Sequence, residues 1–157
     1  MICLMRVDDR LIHGQVQTSW ISISEAKNVM VVDNDVRNDD IAKQVLKFAL
    51  PVGMKLKVCN VDEAVAFWEK AIASPNNIMV LFKTIVTVQE LVKKGVKIKE
   101  LMVGPVSYKE GAIEIIHSTY FTEAEMKAAQ VLSTQGVSIY FQHTPDQKKE
   151  YWKHITI

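Results

Sequence analysis

Cysteine, proline and glycine are all scarce in this sequence of 157 residues. The two cysteines, Cys3 and Cys59, lie in apolar stretches without the spacing of metal ligands, which argues against a disulfide framework and indicates reduced core thiols. Four prolines and six glycines are too few for a fibrous or linker-rich chain. We therefore expect one globular domain that spans residues 1–157.

Net charge and long apolar runs are lacking as well. Lysine and arginine together number 19 against 18 acidic residues, so no long-range field predicts nucleic acid or an anionic membrane surface as a partner. No apolar run approaches the ~20 residues of a membrane span, and the N-terminus lacks the apolar core of a signal peptide. These absences predict a cytoplasmic protein.

Short β-branched runs alternate with segments of helical period along the chain. This alternation predicts an α/β fold whose mainly parallel sheet carries helices on both faces. Asn60, Thr87 and Thr122 each precede a glutamate by three positions and predict helix starts, while Gly95 and Gly136 predict helix ends. The predicted strands cover residues 2–7, 29–33, 56–59, 78–82, 101–103 and 137–141. No apolar stripe or heptad that would require a dimer is apparent.

Arginine is rare, and two of its three copies, Arg6 and Arg10, lie in one short segment. This segment follows the first predicted strand, where ligands of α/β sheets bind. An arginine side chain offers a planar fork of donors that matches phosphate oxygens, so Arg10 is predicted to clamp a phosphate and Arg6 to bind or support it. Gly14 opens a predicted helix whose free N–H groups also favour an anion. His13 between them supplies a ring nitrogen that can act as a nucleophile.

Two aspartates in the same segment, Asp8 and Asp9, are predicted to serve His13. Either carboxylate is suited to hold the second imidazole nitrogen and so fix the tautomer. The spacing leaves open which of the two does so. The plainer interpretation is that His13 caps a helix and that the charged neighbours form a solvated cluster, whose salt bridges contribute only ~0 to 1 kcal/mol each.

The stretch Arg-Val-Asp-Asp-Arg-Leu-Ile-His-Gly-Gln-Val at residues 6–16, followed by Trp20, resembles the signature of the IIB component of the mannose/fructose/sorbose family of the sugar phosphotransferase system. Weaker similarity at residues 31–35, 80–84, 91–96 and 103–104 extends over nearly the whole chain. The loop at Met102-Val103-Gly104-Pro105 departs from the Asn-Val-Gly-Gly of many members.

The resemblance implies a cytoplasmic phosphotransferase of the kind that carries a phosphoryl group on a histidine. His13 occupies the phosphorylated position and would accept the group from a IIA phosphohistidine on the ring nitrogen nearer the main chain. It would then pass the group to a sugar carried by the membrane subunits IIC and IID, with which such a chain associates peripherally. No cofactor is implied.

The alternative function is a signalling receiver domain that is phosphorylated on an aspartate. Such a domain carries paired acidic residues after its first strand, another acid near a later strand end and a lysine. The sequence has residues of these types at Asp8, Asp9, Asp33 and Lys83. If the chain is a phosphocarrier, the edge of the site is instead predicted to include Asp33, Asn34 and Lys83, because they lie at the ends of predicted strands. The remaining histidines, at 117, 143 and 154, have no acid or cysteine at ligand spacing, so we predict surface or filler positions and no metal site.

Overall fold

One sheet of seven strands organises the fold in the computed structural model, which describes residues 1–155 with the side chain of Gln17 left aside. Thr156 and Ile157, part of the predicted domain span, lie outside the described residues. The strands are β1 (Ile2–Val7), β2 (Asn28–Val32), β3 (Lys55–Cys59), β4 (Ile78–Phe82), β5 (Glu100–Val103), β6 (Ile113–Ile116), β7 (Thr119–Phe121), β8 (Ser138–Phe141) and β9 (Glu150–Tyr151). The order in the sheet is β3-β2-β4-β1-β5-β8-β9, parallel except for β9, and β6 pairs with β7 in a separate antiparallel hairpin.

Helices cover both faces of this sheet. A helical segment begins at Gly14 and passes through a π-helical turn, Val16–Trp20, into α1 (Ile21–Ile23). The other helices are α2 (Asn34–Arg37), α3 (Asp40–Ala49), α4 (Val61–Ile72), α5 (Ile85–Lys93) and α6 (Glu123–Thr134), with a 3₁₀ turn at Trp152–His154. No helix within residues 1–155 combines the length and the apolar character that crossing a membrane requires.

Two apolar cores, one on each face, hold these layers together. One core packs α4, α5 and α6 on the sheet through residues such as Trp68, Leu91 and Leu132. The other packs the Gly14 segment and α3 through residues such as Val16 and Leu46. All five residues of β4 are buried, as expected for a central parallel strand covered on both faces. The predicted α/β class, with a mainly parallel sheet and helices on both faces, is confirmed.

Local capping explains where the predicted boundaries succeed and fail. Asn60 and Thr122 cap α4 and α6 as predicted. The start predicted at Thr87 is wrong, because Thr84 caps α5 by accepting a hydrogen bond from the Val86 N–H and Thr87 lies inside the helix. Asp33, predicted to end a strand, instead caps α2.

The outer side of α3 carries apolar side chains that the rest of the chain leaves uncovered. Ile41, Val45 and Phe48 are all exposed, although Leu46 on the same helix is buried. The sequence analysis, which found no apolar stripe that would require a dimer, did not anticipate these exposed side chains. The sequence alone does not distinguish an apolar helix face that packs in the core from one that stays exposed.

The chain connections open a crevice between the carboxyl ends of β1 and β5. From β1 the chain continues to β2 on one side of the sheet, and from β5 it continues towards β8 on the other. Ligand sites of α/β sheets form where neighbouring strands diverge in this way. The loop that contains His13 therefore lies at the expected place.

Candidate active site

The loop after β1 reverses direction at Leu11. The Leu11 N–H donates to the carbonyl of Asp8 at 2.9 Å, and Leu11 has a φ of 57°. This left-handed conformation costs a side-chain-bearing residue roughly 1 to 2 kcal/mol. The side chains of Leu11 and Ile12 are buried in the core on this face, which holds the turn in place. As a result, the chain places His13 within hydrogen-bonding distance of the Asp8 side chain.

The imidazole of His13 makes one hydrogen bond to the described part of the chain. Its Nε2 lies 2.8 Å from Oδ2 of Asp8, and 15% of the His13 side chain is exposed. An ionised carboxylate only accepts, so Nε2 carries the proton in the neutral ring. The lone pair then resides on Nδ1, the nitrogen nearer the main chain, which has no hydrogen-bond partner among the described groups. The geometry therefore presents Nδ1 as the nucleophilic atom.

The carboxylate of Asp8 is fully buried and accepts hydrogen bonds from three directions. Besides His13, the main-chain N–H of Arg10 donates to Oδ1 at 3.2 Å and a guanidinium nitrogen of Arg6 donates to Oδ2 at 3.4 Å. The Asp8 N–H is itself anchored to the carbonyl of Phe82 on β4. Buried carboxylates need such partners, and together they fix the orientation of the oxygen that holds His13.

Arg6 lies beneath Asp8 and is completely buried. Its guanidinium donates to the carbonyls of Gln142 at 2.8 Å and His143 at 3.3 Å, and it stacks on the indole of Trp20 at 4.9 Å. Burial lowers the pKa of Arg6, and the neighbouring Asp8 opposes that shift. Arg6 has no surface open to an arriving phosphate, so the phosphate-binding role predicted for it is not supported. It supports Asp8 instead.

The guanidinium of Arg10, by contrast, stands at the surface of the same loop. Its side chain is 53% exposed, and its Nε lies 3.8 Å from Oδ1 of Asp8. Gly14 follows at the start of the helical segment, and a Cβ built on it would meet nothing within 4 Å. The exposed guanidinium and the open space over Gly14 leave room for a phosphoryl group.

Asp9 turns away from His13 and connects two loops. Its Oδ2 accepts from the main-chain N–H of Ser107 at 2.7 Å, which ties the loop after β1 to the loop after β5. Of the two aspartates that the sequence left open, it is therefore Asp8 that contacts the imidazole.

The three residues proposed for the edge of the site have different surroundings. Asp33 accepts from the Val36 N–H and caps α2, and Asn34 accepts from the Val61 N–H and ties α2 to α4. Both follow β2, which is separated from β1 by β4. Lys83 is exposed at the end of β4, the strand beside β1. Lys83 thus remains a predicted residue of the site edge, whereas Asp33 and Asn34 have structural roles.

Sequence reasoning missed the residues that support the site from the far end of the chain. His143, predicted to be filler, accepts through its carbonyl from Arg6 and from the indole N–H of Trp20. Its ring bonds to the buried hydroxyl of Thr119, and burial, followed by the charge of Arg6, lowers its pKa. Main-chain carbonyls leave no mark in a sequence, so only the fold reveals these contacts.

Gly104 makes the burial of Arg6 possible. A Cβ at this position would lie 2.3 Å from one guanidinium nitrogen of Arg6 and 2.7 Å from its central carbon. The guanidinium is held by the carbonyls of Gln142 and His143, so it has little freedom to yield. The glycine of the Met102-Val103-Gly104-Pro105 loop is therefore required by packing.

We predict that Gly104→Ala lowers the free energy of unfolding by about 1 to 3 kcal/mol, the cost of forcing extra volume into a packed interior. Urea denaturation measures this change. Gly14→Ala, whose Cβ would contact nothing, is the matched control and should lose less than about 1 kcal/mol. Equal stability of Gly104→Ala and the unsubstituted protein would show that Arg6 moves aside freely.

The sequence matches the family model described as "PTS system sorbose subfamily IIB component" over residues 2–157. The chain belongs to this family. It is 35% identical over 139 residues to the "PTS system sorbose-specific EIIB component" of Lacticaseibacillus casei, which covers 88% of this chain and 85% of that protein. It is also 30% identical to the "PTS system mannose-specific EIIAB component" of Escherichia coli (strain K12), where the match covers 88% of this chain and 43% of that longer protein.

The fold supports the same membership. The crystal structure of the IIBSor domain of the sorbose permease from Klebsiella pneumoniae superimposes with a TM-score of 0.88 at 29% identity, covering 96% of this chain and 92% of that one. The predicted resemblance to the mannose/fructose/sorbose IIB components of the sugar phosphotransferase system is thereby confirmed, and the family makes the chain a component of a phosphotransferase.

Family membership and geometry together set aside the receiver-domain alternative. Its acceptor would be an exposed aspartate, yet Asp8 is fully buried and its oxygens are occupied by His13 and two arginines. Asp33 is used as a helix cap on a strand that does not adjoin β1. These residues therefore form no open acidic pocket.

Proposed function

We propose that the chain is a phosphocarrier that accepts a phosphoryl group on Nδ1 of His13 from a IIA phosphohistidine and passes it to a sugar bound by membrane IIC and IID subunits. The observation that carries the proposal is the 2.8 Å hydrogen bond between Nε2 of His13 and Oδ2 of Asp8. This bond leaves the nitrogen nearer the main chain unprotonated and available for attack.

Acceptance of the group needs no proton transfer. The lone pair on Nδ1 of His13 forms the new N–P bond while the N–P bond of the donor histidine breaks, and the electron pair of that bond returns to the donor ring. Negative charge is spread over three oxygens in the transition state, so catalysis depends mainly on positioning and cationic groups. The exposed guanidinium of Arg10 is the group we assign to those oxygens.

Delivery to the sugar reverses the role of His13. A sugar hydroxyl oxygen attacks phosphorus and gives its proton to a basic group of the sugar-binding subunit, while the His13 N–P bond breaks and Nδ1 regains its lone pair. Because Asp8 holds the proton on Nε2, the ring leaves as a neutral imidazole and not as an imidazolate anion. The same hydrogen bond therefore serves acceptance and delivery.

The proposed partners follow from the family and from the limited exposure of the His13 side chain. The mannose-specific relative is an EIIAB component, which supports a IIA protein as the donor. Only 15% of the His13 side chain is exposed, so the donor ring must approach through that limited opening. We accordingly place the chain in the cytoplasm, in peripheral association with the membrane subunits.

Phosphorylation by purified components tests the proposal. The chain is incubated with labelled phosphoenolpyruvate, the general phosphotransferase proteins and a cognate IIA, and labelled protein is then exposed to acid, alkali and hydroxylamine. A phosphohistidine is lost in acid and survives alkali, and this is the expected result. Label that survives acid but is lost in alkali and hydroxylamine would indicate an acyl phosphate and overturn the proposal.

The clamp assigned to Arg10 gives a quantitative expectation. Arg10→Lys keeps the charge but loses the planar fork of donors, so transfer should slow by roughly thirtyfold, equivalent to about 2 kcal/mol. Rapid-quench phosphorylation measures the rate. Arg37→Lys is the matched control, because Arg37 pairs with Glu63 away from His13. Wild-type transfer by Arg10→Lys would move the clamp elsewhere, with Lys83 next in line.

Sugar recognition is expected to lie in the membrane subunits. A sugar pocket needs apolar walls and several convergent polar groups, whereas the His13 loop offers charges suited to phosphate. Titration of the purified chain with mannose, fructose, sorbose and amino sugars by calorimetry should detect no binding. Saturable binding of any of them at millimolar concentration or below would assign sugar selection to this chain.

A further inference from the structure

An apolar stripe along α3 and the turn that follows it is open to solvent. Its members are Ile41, Val45, Phe48 and Val52, with exposures of 79%, 61%, 85% and 106%. The first three recur at intervals of four and three positions and therefore share one side of α3, whereas Val52 lies in the turn that follows Leu50, where the chain is extended. Leu46, Ala42 and Ala49 pack in or against the core, so the broad apolar face of α3 is covered along one edge and exposed along the other.

The stripe is larger than scattered surface apolar residues account for. From the four exposures, its apolar area is roughly 500 Å², within the range that marks interaction sites on monomers. Two such stripes brought together would bury roughly 1,000 Å², the area at which a specific protein interface begins. A second copy of the chain would therefore supply enough surface.

The position of α3 leaves space for a second copy. The helix contacts β3, which is the last strand at its end of the sheet and, among the described strands, pairs with β2 alone. The other edge of β3 has no strand partner in this part of the chain, and natural proteins usually cover or charge such edges. The open stripe and the open edge thus occur at the same end of the molecule.

The order of residues in the stripe favours self-association. Intervals of four and three positions are those of the seam between two packed helices. If two α3 helices pair antiparallel about a two-fold axis, Val45 of each copy faces Phe48 of the other. The same surface of both copies is then covered, as a two-fold interface between identical chains requires.

The charges beside the stripe disfavour an anionic lipid surface as the occupant. Asp39 and Asp40 lie at the beginning of the helix and Lys43 and Lys47 follow on it, so the charges of this segment cancel and give no excess of basic residues. Helices that lie on membranes instead surround their apolar side with lysine and arginine. An apolar protein surface fits the stripe better than a membrane does.

We propose that the stripe formed by Ile41, Val45, Phe48 and Val52 is the interface of a two-fold homodimer in which α3 packs antiparallel against α3 of a second copy. β3 is three strand positions from β1, about 14 Å across the sheet, so the His13 loops stay open in the dimer. Dimer formation and phosphoryl transfer are therefore separable.

Sedimentation velocity of the full chain at concentrations from about 1 to about 200 µM tests the proposal. The unsubstituted chain is expected to approach twice the mass of one chain. Phe48→Glu should remain a monomer, with dimerisation weakened at least about a hundredfold by the buried charge, while phosphoryl acceptance and urea stability are retained. Ile72→Glu, an exposed apolar residue on α4, is the matched control and should still dimerise.

A complementary pair of variants tests the antiparallel arrangement. Val45→Lys and Phe48→Glu should each be monomeric, yet a mixture should form a heterodimer, because lysine at 45 of one copy would face glutamate at 48 of the other. A monomeric unsubstituted chain at every concentration, or a Phe48→Glu dimer, would overturn the proposal even if the stripe bound another protein. A mixture that stays monomeric would overturn the antiparallel pairing.

Discussion

Replacing His13 with alanine is expected to abolish acceptance of the phosphoryl group, with labelling below about a thousandth of the unsubstituted level. The imidazole supplies the only atom that forms a bond to phosphorus in the proposed reaction. His13 is partly exposed on a loop and its ring bonds only to Asp8 in the described chain, so the fold should survive. Labelling by the cognate IIA, with circular dichroism to confirm folding, measures the effect.

The other histidines provide the controls for this variant. His117 and His154 are exposed, and the ring of His143 bonds to Thr119 away from Asp8. His117→Ala, His143→Ala and His154→Ala should each keep near-normal labelling. Loss of labelling in one of these variants together with normal labelling of His13→Ala would identify a different acceptor.

Asp8→Asn is expected to impair both transfer and stability. An asparagine amide that donates to Nε2 would move the proton of the neutral ring to Nδ1 and remove the lone pair from the attacking atom. Transfer should fall on the order of a hundredfold or more. The substitution also leaves the buried guanidinium of Arg6 without its counter-charge, which should lower the free energy of unfolding by about 3 to 5 kcal/mol.

Rapid-quench kinetics and urea denaturation measure these two effects separately. Asp9→Asn is the matched control, because within residues 1–155 the Asp9 side chain accepts from the Ser107 N–H and not from His13. Its transfer rate should stay within a fewfold of the unsubstituted protein. Similar losses in Asp8→Asn and Asp9→Asn would mean that removal of charge from the loop, rather than the bond to Nε2, causes the effect.

The sheet was predictable because its signals are local. Runs such as 78–82 are apolar throughout, and a capping residue with a glutamate three positions later marks the helix that begins after Asn60. The hairpin of β6 and β7 was missed because it is short and partly exposed and therefore lacks a continuous apolar run. α3 was missed because Asp39, which caps it, is not followed by a glutamate three positions later.

The site was predictable only where its residues adjoin in sequence. Arg10 and His13 share one segment, and their chemistry indicates phosphate. The role of Arg6 depends on Gly104 and on the carbonyl of Gln142, 136 positions away, which a local pattern does not contain. The choice of Asp8 over Asp9 depends on the turn at Leu11, whose positive φ has no sequence signal.

The atom that carries the phosphoryl group is the central claim, and NMR observes it directly. The chain is labelled with ¹⁵N in its histidines and phosphorylated through its cognate IIA, and the couplings between phosphorus and the ring nitrogens are recorded at alkaline pH. We predict that coupling appears at Nδ1 of His13 while Nε2 keeps its proton and its bond to Asp8. Phosphorylation on Nε2 of His13, or on any other residue, would contradict the account.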